Sequence, residues 1–237
     1  MLSNRRKGGI VLKPFEKLPS PFQNDEVRPY YELLQKKTAA IVFKRIFDIF
    51  VALIMLGFLL LPMLVIAIAV KTTSKGHVLF RQERVTTYGR HFKIFKFRTM
   101  VENAEALGTQ VTTDSDSRVT SVGHFLRKYR LDELPQVFNV LGGSMTFVGT
   151  RPEVPRYVEQ YQSEYYATLL LPAGITSLAS IMYKDEEKLL ASAENADSVY
   201  VEQVLPEKMK YNLEYLKSFG FFGDIKLMFK TVKEVVS

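Results

Sequence analysis

The strongest constraint on this chain is an uncharged apolar run from Ile49 to Val70, IFVALIMLGFLLLPMLVIAIAV, 22 residues long. As a helix rising ~1.5 Å per residue it reaches ~33 Å, enough to cross the hydrocarbon core of a bilayer. It is apolar on every face, whereas a helix of a soluble core keeps a polar side. Its distance from the N-terminus and the lack of a cleavage-like flank argue against a signal peptide. Lys44 and Arg45 precede the run, and Lys71 and Lys75 follow it. Positive residues favour the cytoplasmic end of a membrane segment, and here both ends carry them. Pro62, inside the run, removes one backbone hydrogen bond and crowds the preceding turn. These features predict a re-entrant helix-break-helix, with residues 44 and 75 on the same side of the membrane.

The charge distribution supports a membrane or phosphate partner. The net charge of +7 is concentrated around the apolar run. Residues 1–48 hold ten Lys/Arg against five acids, residues 71–100 hold eight against Glu83 alone, and residues 157–237 hold eight against twelve. Basic proteins often bind nucleic acid. Basic blocks that flank an apolar segment instead suit an anionic membrane surface or a phosphate substrate, so no nucleic-acid partner is expected. The absence of cysteine excludes disulfides, thiolate zinc sites and cysteine nucleophiles. His77, His91 and His124 show no paired ligand spacing and read as surface or packing residues. At 47% hydrophobic and 24% charged, the 237 residues can build one sizeable core beside the membrane element.

Residues 1–38 read as an extension, because Pro14, Pro19, Pro21 and Pro29 interrupt any long element. A helix is expected from Thr38 into the apolar run. Strands are expected over His77–Arg84 and His91–Met100 around a turn at Gly89. Glu102–Ser117 should form a short helix and loop, and Ser121–Arg130 another helix. A further helix should start at Asp132 and stop at Gly142-Gly143, followed by a strand over Ser144–Val148. Beyond Glu153 the pattern predicts a helix to about Ser163, a loop through Pro172 and Gly174, and an acidic stretch to Glu202. Two closing helices should follow, the first starting near Pro206. In the second, Ile225, Met228, Phe229, Val232 and Val235 share one face. That face suits either a membrane interface or an ordinary core.

The segment Arg127-Lys128-Tyr129-Arg130-Leu131-Asp132-Glu133-Leu134-Pro135-Gln136 holds the most suggestive chemistry. Asp132 suits an N-cap and Pro135 a first turn, which would put both carboxylates at a helix N-terminus. Alone, such a pair could simply cap a helix. With Lys96, Arg98, Arg127 and Arg151 predicted nearby, it suits phosphoryl transfer, in which cations hold the phosphates and a carboxylate can attack phosphorus. Asp114-Ser115-Asp116 matches a bare Asp-x-Asp metal pattern, but lies in a polar loop with no strand–helix domain before it. No glycine is followed by lysine in the manner of a P-loop.

Several segments give the chain a resemblance to a known family. They are Lys44-Arg45-Ile46-Phe47-Asp48, Phe80-Arg81-Gln82-Glu83-Arg84, Lys96-Phe97-Arg98-Thr99-Met100, Phe125 to Gln136, Asn139 to Met145, and Val148-Gly149-Thr150-Arg151-Pro152. In this order the chain strongly resembles the monotopic phosphoglycosyl transferases of bacteria, the polyprenyl-phosphate sugar transferases, in their minimal catalytic form. The resemblance implies an α/β membrane-associated domain with a re-entrant helix, a short β-hairpin and several amphipathic helices. The chain would divide into an extension (1–38), a re-entrant membrane helix (39–75) and a catalytic domain (76–237). The implied reaction moves a phospho-sugar from a nucleotide diphosphate sugar, usually a UDP-sugar, to polyprenyl phosphate and releases UMP, initiating assembly of a cell-surface glycan.

By the same resemblance Asp132 is the nucleophile that carries the phospho-sugar, Glu133 is its partner, and Mg²⁺ binds at Asp132. Lys96, Arg127 and Arg151 line the phosphate site, and Pro62 breaks the membrane helix. The implied location is the bacterial cytoplasmic membrane, with the catalytic domain on the cytoplasmic face; a homodimer is also compatible. The chain departs from the family at Thr150, where proline is common, at Ala173 and Ser177 around Gly174-Ile175-Thr176, at the hairpin turn Thr86-Thr87-Tyr88-Gly89, and at Leu61, where a small residue usually precedes the proline. Two other readings stay open: a Mg²⁺-dependent glycosyltransferase or phosphohydrolase using Asp114 and Asp116, and a non-catalytic polybasic membrane adaptor.

Overall fold

The apolar run sits inside a single helix, α2 (Thr38–Thr73), with Pro62 within it. In the computed structural model, which describes residues 11–102, 104, 116–183, 189–190, 193 and 195–236, α2 docks by a narrow stripe. Ile41, Lys44, Asp48, Ala52, Met63 and Val70 are buried, and Leu59 and Ile66 pack beside the last two. Spacings of three and four keep these positions on one face. The opposite face is bare: eleven large apolar side chains, from Phe43 through Phe58 and Leu61 to Ile68, are exposed. Burying one such side chain is worth roughly 1.5–3 kcal/mol, so tens of kcal/mol favour an apolar surrounding for this face. By length and composition the helix could cross a membrane.

The N-terminal segment is woven into the main core. Pro14 and Pro19 each precede a single 3-10 turn, Phe15–Lys17 and Ser20–Phe22. These turns bury Phe15, Leu18 and Phe22. Asn24 Oδ1 accepts from the backbone N–H groups of Glu26 and Val27 at 2.9 and 2.8 Å, leading the chain into α1 (Arg28–Lys36). Tyr30, Tyr31 and Leu34 of α1 join the same core. Phe22 sets its ring against Tyr88 of the hairpin and Tyr166, so the proline-rich stretch bridges distant parts of the fold.

The hairpin forms as expected, with β1 (Leu79–Thr86) antiparallel to β2 (Arg90–Phe97), Leu79 facing Phe97 and Thr86 facing Arg90. Tyr88 and Gly89, both at positive φ, close the turn; the glycine does so without Cβ strain. Helix α3 (Ser121–Lys128) is capped by Thr120 Oγ1, which accepts from Gly123 N at 2.9 Å. Helix α4 (Gln136–Leu141) ends at Gly142, with Gly143 at φ 76°. Then come β3 (Met145–Val148), α5 (Pro155–Val158), a 3-10 stretch over Ser163–Leu169, β4 (Ala173–Thr176) and α6 (Leu178–Met182). Short turns over Ala196–Val204 run into α7 (Leu205–Ser218), and α8 (Phe221–Val236) follows.

Three expectations need correction. The helix beyond Glu153 spans only Pro155–Val158, because the chain must turn inward to bury Tyr161. The expected loop at Pro172–Gly174 contains a strand, β4, parallel to β3. Gly149 and Gly174 allow that close crossing: a Cβ on Gly149 would lie 2.8 Å from Pro172 O, and one on Gly174 would lie 2.3 Å from Gly149 N. The helix expected from Asp132 begins instead at Gln136, after a separate 3-10 turn, Leu131–Glu133. Most of Glu102–Ser117 and part of the acidic stretch lie outside the described residues.

Candidate functional site

The turn that carries the two carboxylates is set by Arg130, which holds a left-handed backbone (φ 52°, ψ 26°). A non-glycine residue there ends α3 abruptly and redirects the chain. Leu131–Glu133 then forms the 3-10 turn, and Pro135 precedes α4, with no side-chain cap at either start. Asp132 is therefore not the N-cap expected from sequence. It is buried, at 8% exposure, and lines a cleft of about 1990 Å³ between the hairpin, α3 and the β3–α5 loop.

The adjacent carboxylates are treated differently. Glu133 Oε1 accepts from Lys96 Nζ and from Arg151 Nη2, each at 2.8 Å. Burial works to raise the Glu133 pKa, but the charges of Arg151 and Lys96 outweigh it and hold the group well below the usual carboxylate range. Asp132 has neither cation as an ion-pair partner. Burial pushes its pKa up; Lys96 and Arg127 pull it back, while Glu133 adds to the rise. Two neighbours in sequence thus diverge into one firmly ionised anchor and one more basic carboxylate.

Each cation comes from a different element. Lys96 lies near the end of β2, where strand alternation turns it to the Glu133 side. Asn139 of α4 fixes that strand by accepting from Phe95 N at 3.0 Å and donating to Lys93 O at 2.9 Å. Arg127 ends α3 and donates through Nε to Thr99 Oγ1 at 2.9 Å. Arg151 follows β3, where Gly149 N donates to Thr176 O at 3.0 Å and Gly174 N to Thr150 O at 2.8 Å. The structure therefore brings Asp132, Glu133, Lys96, Arg127 and Arg151 to one cleft. Pro62 lies apart from it, exposed on the outer face of α2.

Sequence reasoning did not single out Arg84 and Glu153 as site residues. Arg84 Nη1 donates to Pro152 O at 3.1 Å, and its Nε and Nη2 donate to Gln82 Oε1 at 3.1 and 2.6 Å. Buried Glu153 pairs with Lys208 of α7 at 3.1 Å; despite burial, Lys208 and Arg84 depress its pKa. The signal for Arg84 was the i, i+2 placement of Gln82 and Arg84 on one strand face. Nothing local announced Glu153.

Among the described residues, no three acidic or imidazole side chains converge as a metal cage. Asp132, in a cleft also lined by Lys96, Arg127 and Arg151, still fits Mg²⁺, which commonly takes one or two carboxylates and completes its shell with substrate phosphates and water. The alternative Asp-x-Asp site fares less well. Asp116 is held by Arg118 through Nε to Oδ1 at 2.9 Å and Nη2 to Oδ2 at 2.6 Å, and its pKa falls to about 2. Asp114 lies outside the described residues.

Comparison with known proteins gives one consistent answer. The model of the bacterial sugar transferase family matches residues 39–237. The UDP-N-acetylgalactosamine-undecaprenyl-phosphate N-acetylgalactosaminephosphotransferase of Aeromonas hydrophila is 36% identical over 197 residues, covering 82% of this chain and 44% of that protein. The UDP-glucose:undecaprenyl-phosphate glucose-1-phosphate transferase of Klebsiella pneumoniae is 40% identical over 195 residues, covering 81% and 39%. A protein of the same name in Caulobacter vibrioides is 32% identical over 198 residues, covering 82% and 70%. The aligned region is thus less than half of the first two relatives.

Proposed function

The chain belongs to the bacterial sugar transferase family, and we propose that it moves a sugar 1-phosphate from a UDP-sugar to polyprenyl phosphate at a membrane surface, with Asp132 as the nucleophile. The observation that carries this reading is the division of labour in the carboxylate pair. Glu133 is held by Lys96 and Arg151, while buried Asp132, raised in pKa, faces the same cleft. The relatives' names supply the donor and acceptor classes.

In the first half-reaction an Asp132 oxygen attacks the phosphorus that bears the sugar. The P–O bond to the nucleoside monophosphate breaks, and UMP leaves with the electron pair. Lys96, Arg127 and Arg151 offset the charge on the phosphoryl oxygens and leaving group. Glu133 keeps Lys96 and Arg151 in place before substrate arrives, so little reorganisation is needed. In the second half-reaction a phosphate oxygen of the lipid attacks the same phosphorus and Asp132 departs as a carboxylate. Mg²⁺, held by Asp132 and the donor's diphosphate, would supply further charge neutralisation. The product, a polyprenyl-diphosphate-sugar, suits the first step of cell-surface glycan assembly.

The way α2 is held supports a reading of its membrane topology. Near its start Arg45 donates to the carbonyls of Val140 and Leu141 at 2.7 and 3.2 Å. Past its end Arg98 holds Ser74. Both ends are bound to the cleft-bearing domain, which supports re-entrant insertion from the cytoplasmic face over a full span. In a chain without cysteine, single cysteines at Lys36 and Lys75 should label with an impermeant reagent from the same side; labelling from opposite sides would mean a spanning helix.

The functional test is a screen of purified protein with UDP-sugars, Mg²⁺ and polyprenyl phosphate, scored by UMP release. Turnover with at least one sugar, lost in Asp132→Asn, is expected. Turnover that survives Asp132→Asn would contradict the assignment.

A further inference from the structure

Arg98 is a charged residue of the cleft that the proposed chemistry leaves unused. It sits just past β2, is 8% exposed and lines the cleft. Its Nη2 donates to Ser74 O and Ser74 Oγ at 2.8 and 2.7 Å, tying it to the end of α2. Its Nε and Nη1 are buried and have no hydrogen-bond partner, and no ion pair joins it to an acid among the described residues. Arg118 and Arg151, in the same cleft, each hold a carboxylate. A buried guanidinium with two idle donors, with exposed Glu102 near it but not paired to it, is a costly arrangement unless an anion completes it.

The surroundings point to where such an anion would lie. Gly76, at φ 109°, passes directly over the guanidinium; a Cβ there would sit 2.4 Å from Arg98 Nη1. A side chain at position 76 would collide with the guanidinium, so glycine is what lets Arg98 lie here. The same virtual Cβ would lie 3.0 Å from Glu102 Oε1, an exposed side chain that can swing aside. The next residue, Thr99, accepts from Arg127, whose charge acts on Asp132. Arg98, Thr99, Arg127 and Asp132 therefore line one stretch of the cleft. It begins where the apolar helix ends, between exposed Lys71 and Lys75.

We propose that Arg98 binds the phosphate monoester of the membrane-borne acceptor and admits it to Asp132 from the α2 end of the cleft. The inference rests on the transferase reading above and adds to it the acceptor's subsite. The donor keeps the side of the cleft with Glu133 and Arg151. The fork of a guanidinium suits a terminal phosphate better than an ammonium does, and Arg98 lies where the apolar helix ends. A bulk phospholipid offers similar chemistry, so the test must separate the two.

The experiment uses the full chain in vesicles of neutral phosphatidylcholine and, separately, vesicles with added phosphatidylglycerol, titrating polyprenyl phosphate at saturating UDP-sugar and the reverse. Arg98→Lys and Arg98→Gln should raise the acceptor KM at least about tenfold in both vesicle types and leave the donor KM within about twofold. Lys210→Ala removes an exposed cation of α7 paired with Glu207, outside the residues that line the cleft, and should leave the acceptor KM unchanged. Arg98→Lys keeps the charge, so a folding defect confined to Arg98→Gln still leaves a readable variant. An unchanged acceptor KM, or equal rises in both KM values, overturns the proposal while the transferase reading stands. A defect seen only with phosphatidylglycerol assigns Arg98 to bulk headgroups and also overturns it. Wild-type protein that never turns over removes the transferase reading, and this inference with it.

Discussion

Two charged clusters hold this fold together, and they have opposite balances. In the cleft, two cations, Lys96 and Arg151, converge on one carboxylate, Glu133. At the start of α2, one cation, Lys44, serves two carboxylates, Asp224 at 2.7 Å and Asp48 at 3.9 Å. The second cluster is sealed: all three residues are buried, Thr146 donates to Asp48, and Tyr215 donates to Asp224 at 3.0 Å. It joins the membrane helix to α8 and β3, and its groups are spent on one another. The first opens to a cleft and carries surplus positive charge beside an uncommitted aspartate. Similar side chains therefore build a clasp in one place and a receptor for an anion in the other, and the charge balance and access separate them.

The comparison breaks most visibly at the carboxylate pair. Asp132→Asn should lower turnover by at least ~10⁴-fold, since it removes a nucleophile and leaves size unchanged. Glu133→Gln should cost about 10²-fold, because the cations lose their anchor while the nucleophile remains. Steady-state UMP release measures both; equal losses would deny the two residues separate roles.

Arg151→Ala should cost about 10²–10³-fold in kcat/KM, and Arg151→Lys should recover only a small part, since lysine lacks the two-pronged contact to phosphate. Full recovery would reduce Arg151 to a point charge. The sealed cluster predicts the converse phenotype. Lys44→Met leaves two buried acids facing each other and should cost about 3–5 kcal/mol of stability, read by thermal or denaturant unfolding, with the donor KM of the folded fraction within about twofold of wild type. Adding Asp224→Asn should recover part of that loss, a coupling that a double-mutant cycle isolates.

The smallest effect is one of order along the pH axis. As the proposed nucleophile Asp132 must be ionised to attack, and burial raises its pKa. Activity should therefore fall on acidification with a midpoint above the ordinary aspartate value of ~3.9. Glu133, whose folded pKa is depressed, contributes stability that is present above its unfolded value of ~4.3 and is lost as pH falls towards the folded one. Asp132 and Asp224, both raised, have the opposite sign: their protonation favours the folded state, and that contribution fades as pH rises through the folded pKa. Activity should go before structure does. Simultaneous loss of UMP release and circular-dichroism signal would contradict this order.

The elements legible in the sequence carried local signatures. The apolar run marked α2, alternation around Gly89 marked the hairpin, Pro206 lay in the first turn of α7, and the Asp-Glu pair with its basic surroundings marked the cleft. What was not legible depends on distant contacts. Phe15 and Phe22 join the core through partners far along the chain, so residues 1–38 looked like an extension. Strand β4 has four residues and little alternation, and its pairing with β3 is parallel and non-local. Asp132 read as a cap because Pro135 marks a first turn; the left-handed Arg130 that builds a separate turn has no residue signature. In α8, Phe222, Phe229 and Val232 are exposed while Asp224 is buried, so part of the face that the sequence left open between a membrane interface and a core is turned outward.

The account stands on Asp132 acting covalently. The most direct test mixes the purified chain with UDP-sugar and Mg²⁺ in the absence of any lipid acceptor, followed by rapid quench and intact-protein and peptide mass spectrometry. The predicted result is a burst of UMP, at most about one per active site, with one phospho-sugar on the peptide carrying Asp132 and none in Asp132→Asn. UMP that appears only when polyprenyl phosphate is added, with no adduct on quenched protein, would contradict it and make Asp132 a ligand or charge-stabilising group for direct transfer.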